Sequence, residues 1–215
     1  MNTVAATERP LVMIVDDDEA VRLSLQELML SVGLDAVGFA SARELLDTAL
    51  PDRSGCLVLD VRMPGTSGLD LQQQLAGNGR EKPIVFLTGH GDIPMSVQAM
   101  KAGAIDFLTK PVRDQTLLDA VTSGIERDVA QRARARVARQ HAEHHKTLTR
   151  RERQVLGAVA LGRFNKQIAF DLGISEVTVK LHRSNVMRKM HATSVGELIR
   201  AWEALPAELR GGEPT

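Results

Sequence analysis

The chain has 215 residues with 27 acidic and 27 basic side chains, so its formal charge is zero, and its length accommodates two modest domains. Its only cysteine, Cys56, excludes an internal disulfide and reads as a small buried hydrophobe. No apolar run approaches the ~18 residues of a membrane span and residues 1–10 lack a signal-peptide core, so a cytoplasmic protein without a membrane partner is expected.

Apolar runs alternate with amphipathic stretches through the first half, the pattern of a doubly wound parallel α/β sheet. Leu11 to Val15 predicts the first strand, and a helix follows from about Glu19 to Val32, stopped by Gly33. A weaker strand covers Asp35 to Phe39. Ser41 and Glu44 have capping-box spacing for a helix to about Leu50. Cys56 to Leu59 is the third strand, with a helix from near Gly68 that fades at Gly77-Asn78-Gly79. Ile84 to Leu87 precedes a helix over about 94–102 ended by Gly103. Asp106 to Thr109 is the fifth strand.

A long, solvated linker helix is predicted from Asp114 to His145, a stretch rich in Ala, Arg and Gln and free of proline. Its Arg-rich part, Arg132 to Arg139, reads as a solvated face. His141, His144 and His145 have helical metal-ligand spacing, but no cysteine or carboxylate pair accompanies them, so a solvated face is expected there too. Four short helices follow. Thr149 with Glu152 boxes one through about Leu161; Asn165 caps one through Leu172, ended by Gly173; Ser175 caps one over about 176–190; Ser194 with Glu197 opens one that Pro206 stops. Residues 1–9 and 207–215 are expected to be flexible tails.

The neutral total hides a split: residues 1–125 carry 10 Lys/Arg and 17 Asp/Glu, a balance of −7, while residues 126–215 carry 17 and 10, a balance of +7. The acidic half suits a cation and the basic half a polyanion. Within the acidic half, parallel strands place their carboxyl ends at one rim. Asp16 and Asp17 follow the first strand, Asp60 the third, Thr88 the fourth and Lys110 the fifth. Clustered carboxylates repel, and hard oxygen ligands in an incomplete set suit Mg²⁺ or Mn²⁺ with retained waters. A carboxylate so placed can attack phosphorus, with the metal and an ammonium stabilising the equatorial oxygens.

These residues carry a resemblance. Val15-Asp16-Asp17-Asp18, Leu59-Asp60-Val61-Arg62-Met63-Pro64-Gly65, Leu87-Thr88-Gly89 and Thr109-Lys110-Pro111 resemble a two-component receiver domain of flavodoxin-like fold over residues 10–127. The resemblance implies that Asp60 accepts a phosphoryl group from a sensor histidine kinase. It implies a metal held by Asp17, Asp60 and the Arg62 backbone carbonyl, with Asp16 acting through water. Thr88 and Phe107 would be the switch pair, and Lys110, ahead of a cis proline bond, would contact the phosphoryl group. A phosphohydrolase of the haloacid dehalogenase type also uses a strand-end aspartate, but needs a general acid/base two residues on, where this chain has Arg62.

In the basic half, Gly162 to Ala169 and Leu172 to Lys180 read as helix, tight turn, helix. On the second helix Val179, His182, Val186 and Met190 share an inward face, leaving Lys180, Leu181, Arg183, Ser184 and Arg188 for a groove. Leu148 to Leu156, Asn165-Lys166-Gln167-Ile168-Ala169 and Thr178-Val179-Lys180-Leu181-His182 resemble a LuxR-type DNA-binding domain over residues 146–205, after a linker at 128–145. Phe164 stands at a usual serine, and Gln154 and Gln167 at usual glutamates. The resemblance implies Lys180, Leu181 and Ser184 at base edges and Asn165, Lys166, Thr178 and Arg183 at phosphates. The whole chain is similar to response regulators of the NarL/FixJ family, in its FixJ, NodW and StyR branch. It is therefore expected to be a phosphorylation-switched transcriptional regulator, not an enzyme. It would dimerise when phosphorylated, bind promoter double-stranded DNA and meet RNA polymerase. The aspartyl-phosphate phosphohydrolase and a receiver-linked protein-interaction module that never binds DNA are the remaining alternatives.

Overall fold

The computed structural model describes residues 9–77, 82–89 and 91–210. The expectations for residues 1–8, Asn78, Gly79, His90 and residues 211–215 lie outside these. The chain divides after Arg132 into two compact units.

The first unit is a parallel sheet in the order β2-β1-β3-β4-β5, formed by β1 (Leu11–Val15), β2 (Asp35–Phe39), β3 (Gly55–Leu59), β4 (Ile84–Thr88) and β5 (Asp106–Thr109). β1, β3 and β4 are buried along their whole length, which is why their sequence is continuously apolar. Alternate residues feed two cores. Val12, Ile14, Val58, Val85 and Leu87 face α1 (Glu19–Ser31) and the start of α5 (Asp114–Lys146), whereas Met13, Val15, Leu57, Leu59 and Phe86 face the opposite layer. That layer is α2 (Ala42–Asp47), α3 (Gly68–Gly77) and α4 (Ile93–Lys101), which contribute Ala42, Leu45, Leu71, Leu75 and Ala99. Truncating a fully buried leucine such as Leu57 or Leu117 to alanine costs about 2–5 kcal/mol.

One close approach fixes this layering. A Cβ on Gly124 would lie 2.6 Å from Cys56 Sγ, so α5 crosses β3 only because that position is glycine. Burial in turn pushes the Cys56 thiol up to about 12, so it packs as the apolar residue expected.

α2 stops at Asp47, short of Leu50. Thr48 is extended at ψ 131° and its hydroxyl donates to Glu44 O at 2.7 Å, while Pro51 holds the chain away from helix. The receiver boundary expected at 127 falls short of where this unit stops bonding to itself. Asp128 is buried and accepts from Gly55 N at 2.9 Å and Lys82 Nζ at 2.6 Å, and Arg132 donates to Asp52 at 2.6 Å.

The second unit packs α6 (Arg150–Ala160), α7 (Asn165–Leu172), α8 (Glu176–Lys189) and α9 (Val195–Glu203) around Leu148, Val155, Leu156, Ile168, Val179, Val186, Met190 and Leu198. The Thr149/Glu152 box forms as read. Asn165 does not cap α7. The N-cap is Phe164, whose N–H donates to Gln167 Oε1 at 2.8 Å, and Asn165 becomes the first helical residue. Within the expected tail, Ala207–Arg210 forms a last helical turn, α10, directly after Pro206, a residue suited to starting a helix. The histidine stretch of α5 is not a solvated face, since His145 is 5% exposed and His141 and His144 are half-buried.

Candidate functional site

β1 and β3 are adjacent while the chain leaves β1 toward β2 on its other side, so their carboxyl ends flank the switch point of the sheet. Of three consecutive aspartates after β1, local backbone geometry gives each a different task. Asp18 caps α1, accepting from Ala20 N at 2.9 Å and Val21 N at 3.3 Å. Asp16 is buried, its Oδ1 accepting from Asp18 N at 3.0 Å, while Arg22 donates to its carbonyl at 2.6 Å. Asp17 is exposed, and it offers a carboxylate oxygen that lies within 4.8 Å of oxygens from Asp16 and Asp60.

Asp60 leaves β3 with its N–H on Val15 O at 2.9 Å, and its Oδ1 accepts from Arg62 N at 3.2 Å. Lys110 Nζ bonds Asp16 Oδ2 at 2.5 Å and lies 3.5 Å from Asp60 Oδ2, so one ammonium offsets part of three negative charges. The Asp60 carbonyl sits against Gly68, where a Cβ would approach to 2.3 Å, so the first residue of α3 must be glycine for the helix to start so close to the strand end. Thr88 ends β4 at 1% exposed, and its carbonyl accepts from Lys110 N at 2.8 Å. Phe107 is half-buried beside Phe86, with ring centroids 5.9 Å apart, and a Cβ on Gly91 would meet its ring at 2.7 Å. The Lys110–Pro111 bond is cis. The expected rim residues thus converge. The supporting contacts of Arg22, Gly68 and Gly91 were not foreseen, because each depends on spatial neighbours and not on local spacing.

On α8, Lys180, Leu181, Ser184 and Arg188 are exposed while Val179, Val186 and Met190 are buried. His182 is half-buried with a buried Nδ1 lacking a hydrogen-bond partner. Arg183 and Asn165 meet each other, Nη1 donating to Oδ1 at 2.9 Å, which ties α7 to α8, and Thr178 shares a hydroxyl contact with Ser175 at 2.9 Å. Lys166 is exposed. Val177, 75% exposed, was missed by the sequence reading, although its spacing to Leu181 and Ser184 places it on the same outward face. Beneath α8, Lys189 bonds the buried Glu152 at 2.7 Å and the Thr147 carbonyl at 3.2 Å. Burial alone would raise the Glu152 carboxyl; the hydrogen bonds from Lys189 and Thr149 outweigh it and hold the group below its ordinary range.

An acidic rim at a parallel-sheet switch point, carried in one chain with a helix-turn-helix unit, defines a DNA-binding response regulator. Residues 12–122 match the response regulator receiver domain and residues 146–202 match the bacterial regulatory proteins of the luxR family. The chain is 50% identical over 210 residues to nodulation protein W of Bradyrhizobium diazoefficiens, covering 98% of this chain and 92% of that protein. It is 45% identical to the transcriptional regulatory protein FixJ of Rhizobium meliloti, covering 88% of this chain and 93% of the other. The solved structure of the response regulator StyR is similar at TM-score 0.77 and 47% identity, covering 91% and 98% of the two chains. This chain belongs to the NarL/FixJ-type response regulators and is a phosphorylation-dependent transcriptional regulator. A receiver implies a sensor kinase as partner, and a LuxR-type domain implies DNA. Among the described residues no helix is long and apolar enough to cross a membrane.

Proposed function

We propose that Asp60 is the phosphoryl acceptor. The observation that supports this most directly is the convergence of Asp16, Asp17, Asp60 and Lys110 from three separate strand ends. A carboxylate oxygen of Asp60 attacks the phosphorus of a phosphohistidine on the sensor histidine kinase, and the bond from phosphorus to the imidazole nitrogen breaks. Lys110, held between Asp16 and Asp60, is within reach of an incoming phosphoryl oxygen. The donors are all hard oxygens and Asp17 leaves one side open to water, which fits Mg²⁺ or Mn²⁺ held by Asp16, Asp17, Asp60 and the Arg62 backbone carbonyl. Such an ion, when bound, supplies charge stabilisation for the equatorial phosphoryl oxygens. Arg62 in place of a general acid/base disfavours rapid hydrolysis, so the acylphosphate persists as a signal.

Thr88 and Phe107 form the switch pair beside the acceptor and reshape α4, whose exposed Ile93, Val97 and Met100 then pair two receivers. Dimerisation places two α8 helices on successive half-sites of promoter double-stranded DNA and raises affinity without new base contacts. Lys180, Leu181 and Ser184 read bases; Asn165, Lys166, Thr178, Arg183 and Arg188 serve the phosphate backbone. RNA polymerase is the downstream partner and the cytoplasm the setting. The test incubates the purified chain with sheared genomic DNA, with and without Mg²⁺ and a small phosphodonor, and sequences the retained fragments. Discrete sites enriched only with the phosphodonor are expected. Equal enrichment in both arms overturns phosphorylation control, and no enrichment favours a protein partner in place of DNA.

A further inference from the structure

Away from the acidic rim, the second unit gathers a set of imidazoles that the regulatory reading does not use. His141 and His144 lie one turn apart near the end of α5, with ring centroids 6.4 Å apart in an edge-to-face arrangement. His191, just past the end of α8, brings its ring to 4.4 Å from that of His144. The Nδ1 atoms of His141 and His144 are both buried without a hydrogen-bond partner. Buried polar atoms of that kind ordinarily find a partner, and two adjacent exceptions call for an explanation. His191 also holds φ +54°, the one positive-φ residue other than glycine among those described, a conformation that costs energy in a non-glycine side chain.

We propose that His141, His144 and His191 form a site for a divalent transition metal of the Zn²⁺, Ni²⁺ or Cu²⁺ type. Nitrogen-only ligands select these ions over Mg²⁺ or Ca²⁺. Two imidazoles sharing a tetrahedral metal have ring centroids about 5 Å apart, given metal–nitrogen distances near 2.0–2.1 Å. The observed 6.4 and 4.4 Å bracket that value. Among the described residues only the Asp16, Asp17 and Asp60 group already has its ligand atoms within 4.8 Å of one another, so binding an ion here requires the imidazole rings to rotate their nitrogens together. With no carboxylate in the set, a water completes the fourth position. The ion would pin the last turns of α5 to the end of the helix assigned to the groove, so its binding stabilises the output unit.

Titration calorimetry of the full-length chain with Zn²⁺ or Ni²⁺, in excess Mg²⁺ to occupy the acidic rim, tests this directly. One equivalent is expected to bind, and His144→Gln and His191→Asn each to weaken it at least tenfold. Asparagine tolerates the left-handed backbone at 191 and glutamine favours helix at 144, so both variants are expected to keep the wild-type circular dichroism. Absence of binding, or binding unchanged in either variant, overturns the site. Nitrogen hyperfine coupling in the Cu²⁺ electron spin resonance of the wild-type chain gives a readout independent of any variant, and a spectrum showing oxygen ligands alone overturns the site as well.

Discussion

The two units solve the problem of presenting polar chemistry in opposite ways. In the receiver, Asp16, Asp60, Thr88 and Lys110 come from positions up to 94 residues apart, and Asp16 and Thr88 are almost wholly buried. In the output unit, the exposed residues Lys180, Leu181, Ser184 and Arg188 lie on one helix of 14 residues, and burial falls on the apolar residues beneath them. A convergent buried site concentrates its function in a few atoms, whereas an exposed helix spreads it over separate contacts. Single substitutions should therefore be near-absolute in the first unit and graded in the second.

The largest expected effect is at Asp60. Asp60→Asn removes the carboxylate proposed to attack phosphorus and should abolish phosphodonor-dependent dimerisation in sedimentation velocity; a dimer equal to that of the phosphorylated wild type would break the contrast. Next comes the support of the output unit. Glu152→Ala leaves Lys189 without its buried partner and the α6 N-terminus without its box, and should cost about 3 kcal/mol. Trp202, the single tryptophan, packs on that unit's core, so urea melts followed by its fluorescence read this unit selectively. An unchanged midpoint would remove the ion pair from the account.

Lys180→Ala should weaken specific DNA binding by roughly 1–3 kcal/mol and leave folding untouched, which a footprinting titration at fixed salt decides. An unaltered footprint and affinity would remove α8 from the groove. The smallest effect is that of acid on the output unit. Burial, then the neighbouring Arg153 charge, holds His145 below the ordinary imidazole value of 6.5, so the folded state disfavours its protonation. Its contribution is complete above about pH 6.5 and lost as pH falls below it; Glu152, held below 4.5, adds a second loss under that pH. Trp202-monitored melts across pH 7.5 to 4 should show stability falling in that order, and a flat profile would contradict the buried neutral imidazole.

Much of this molecule was legible as pattern. Continuous apolar runs marked β1, β3 and β4 because strands covered on both faces need no polar alternation, and Gly33, Gly103 and Gly173 marked helix ends because each adopts positive φ. The acidic rim was legible because strand order places the carboxyl ends of parallel strands together. Where local rules competed, the reading failed. Asn165 looked like a cap, but Gln167 reaches back to Phe164 and frees Asn165 for Arg183. His145 looked solvated because α5 carries little apolar character there, and only packing in the second unit buries it.

What the sequence determined by itself was the periodicity of each element, the residue types at each strand end and the order of the two units, since these depend on neighbours within a few positions. Tertiary structure alone decided that the Asp16 carboxylate is buried while that of Asp17 stays exposed at the same rim. It also decided that Gly68 must clear the Asp60 carbonyl and that His191 meets His144 although 46 positions separate them in sequence. The physical reason is range: a turn of helix or a strand alternation is set locally, whereas the approach of two side chains is set by how whole elements pack.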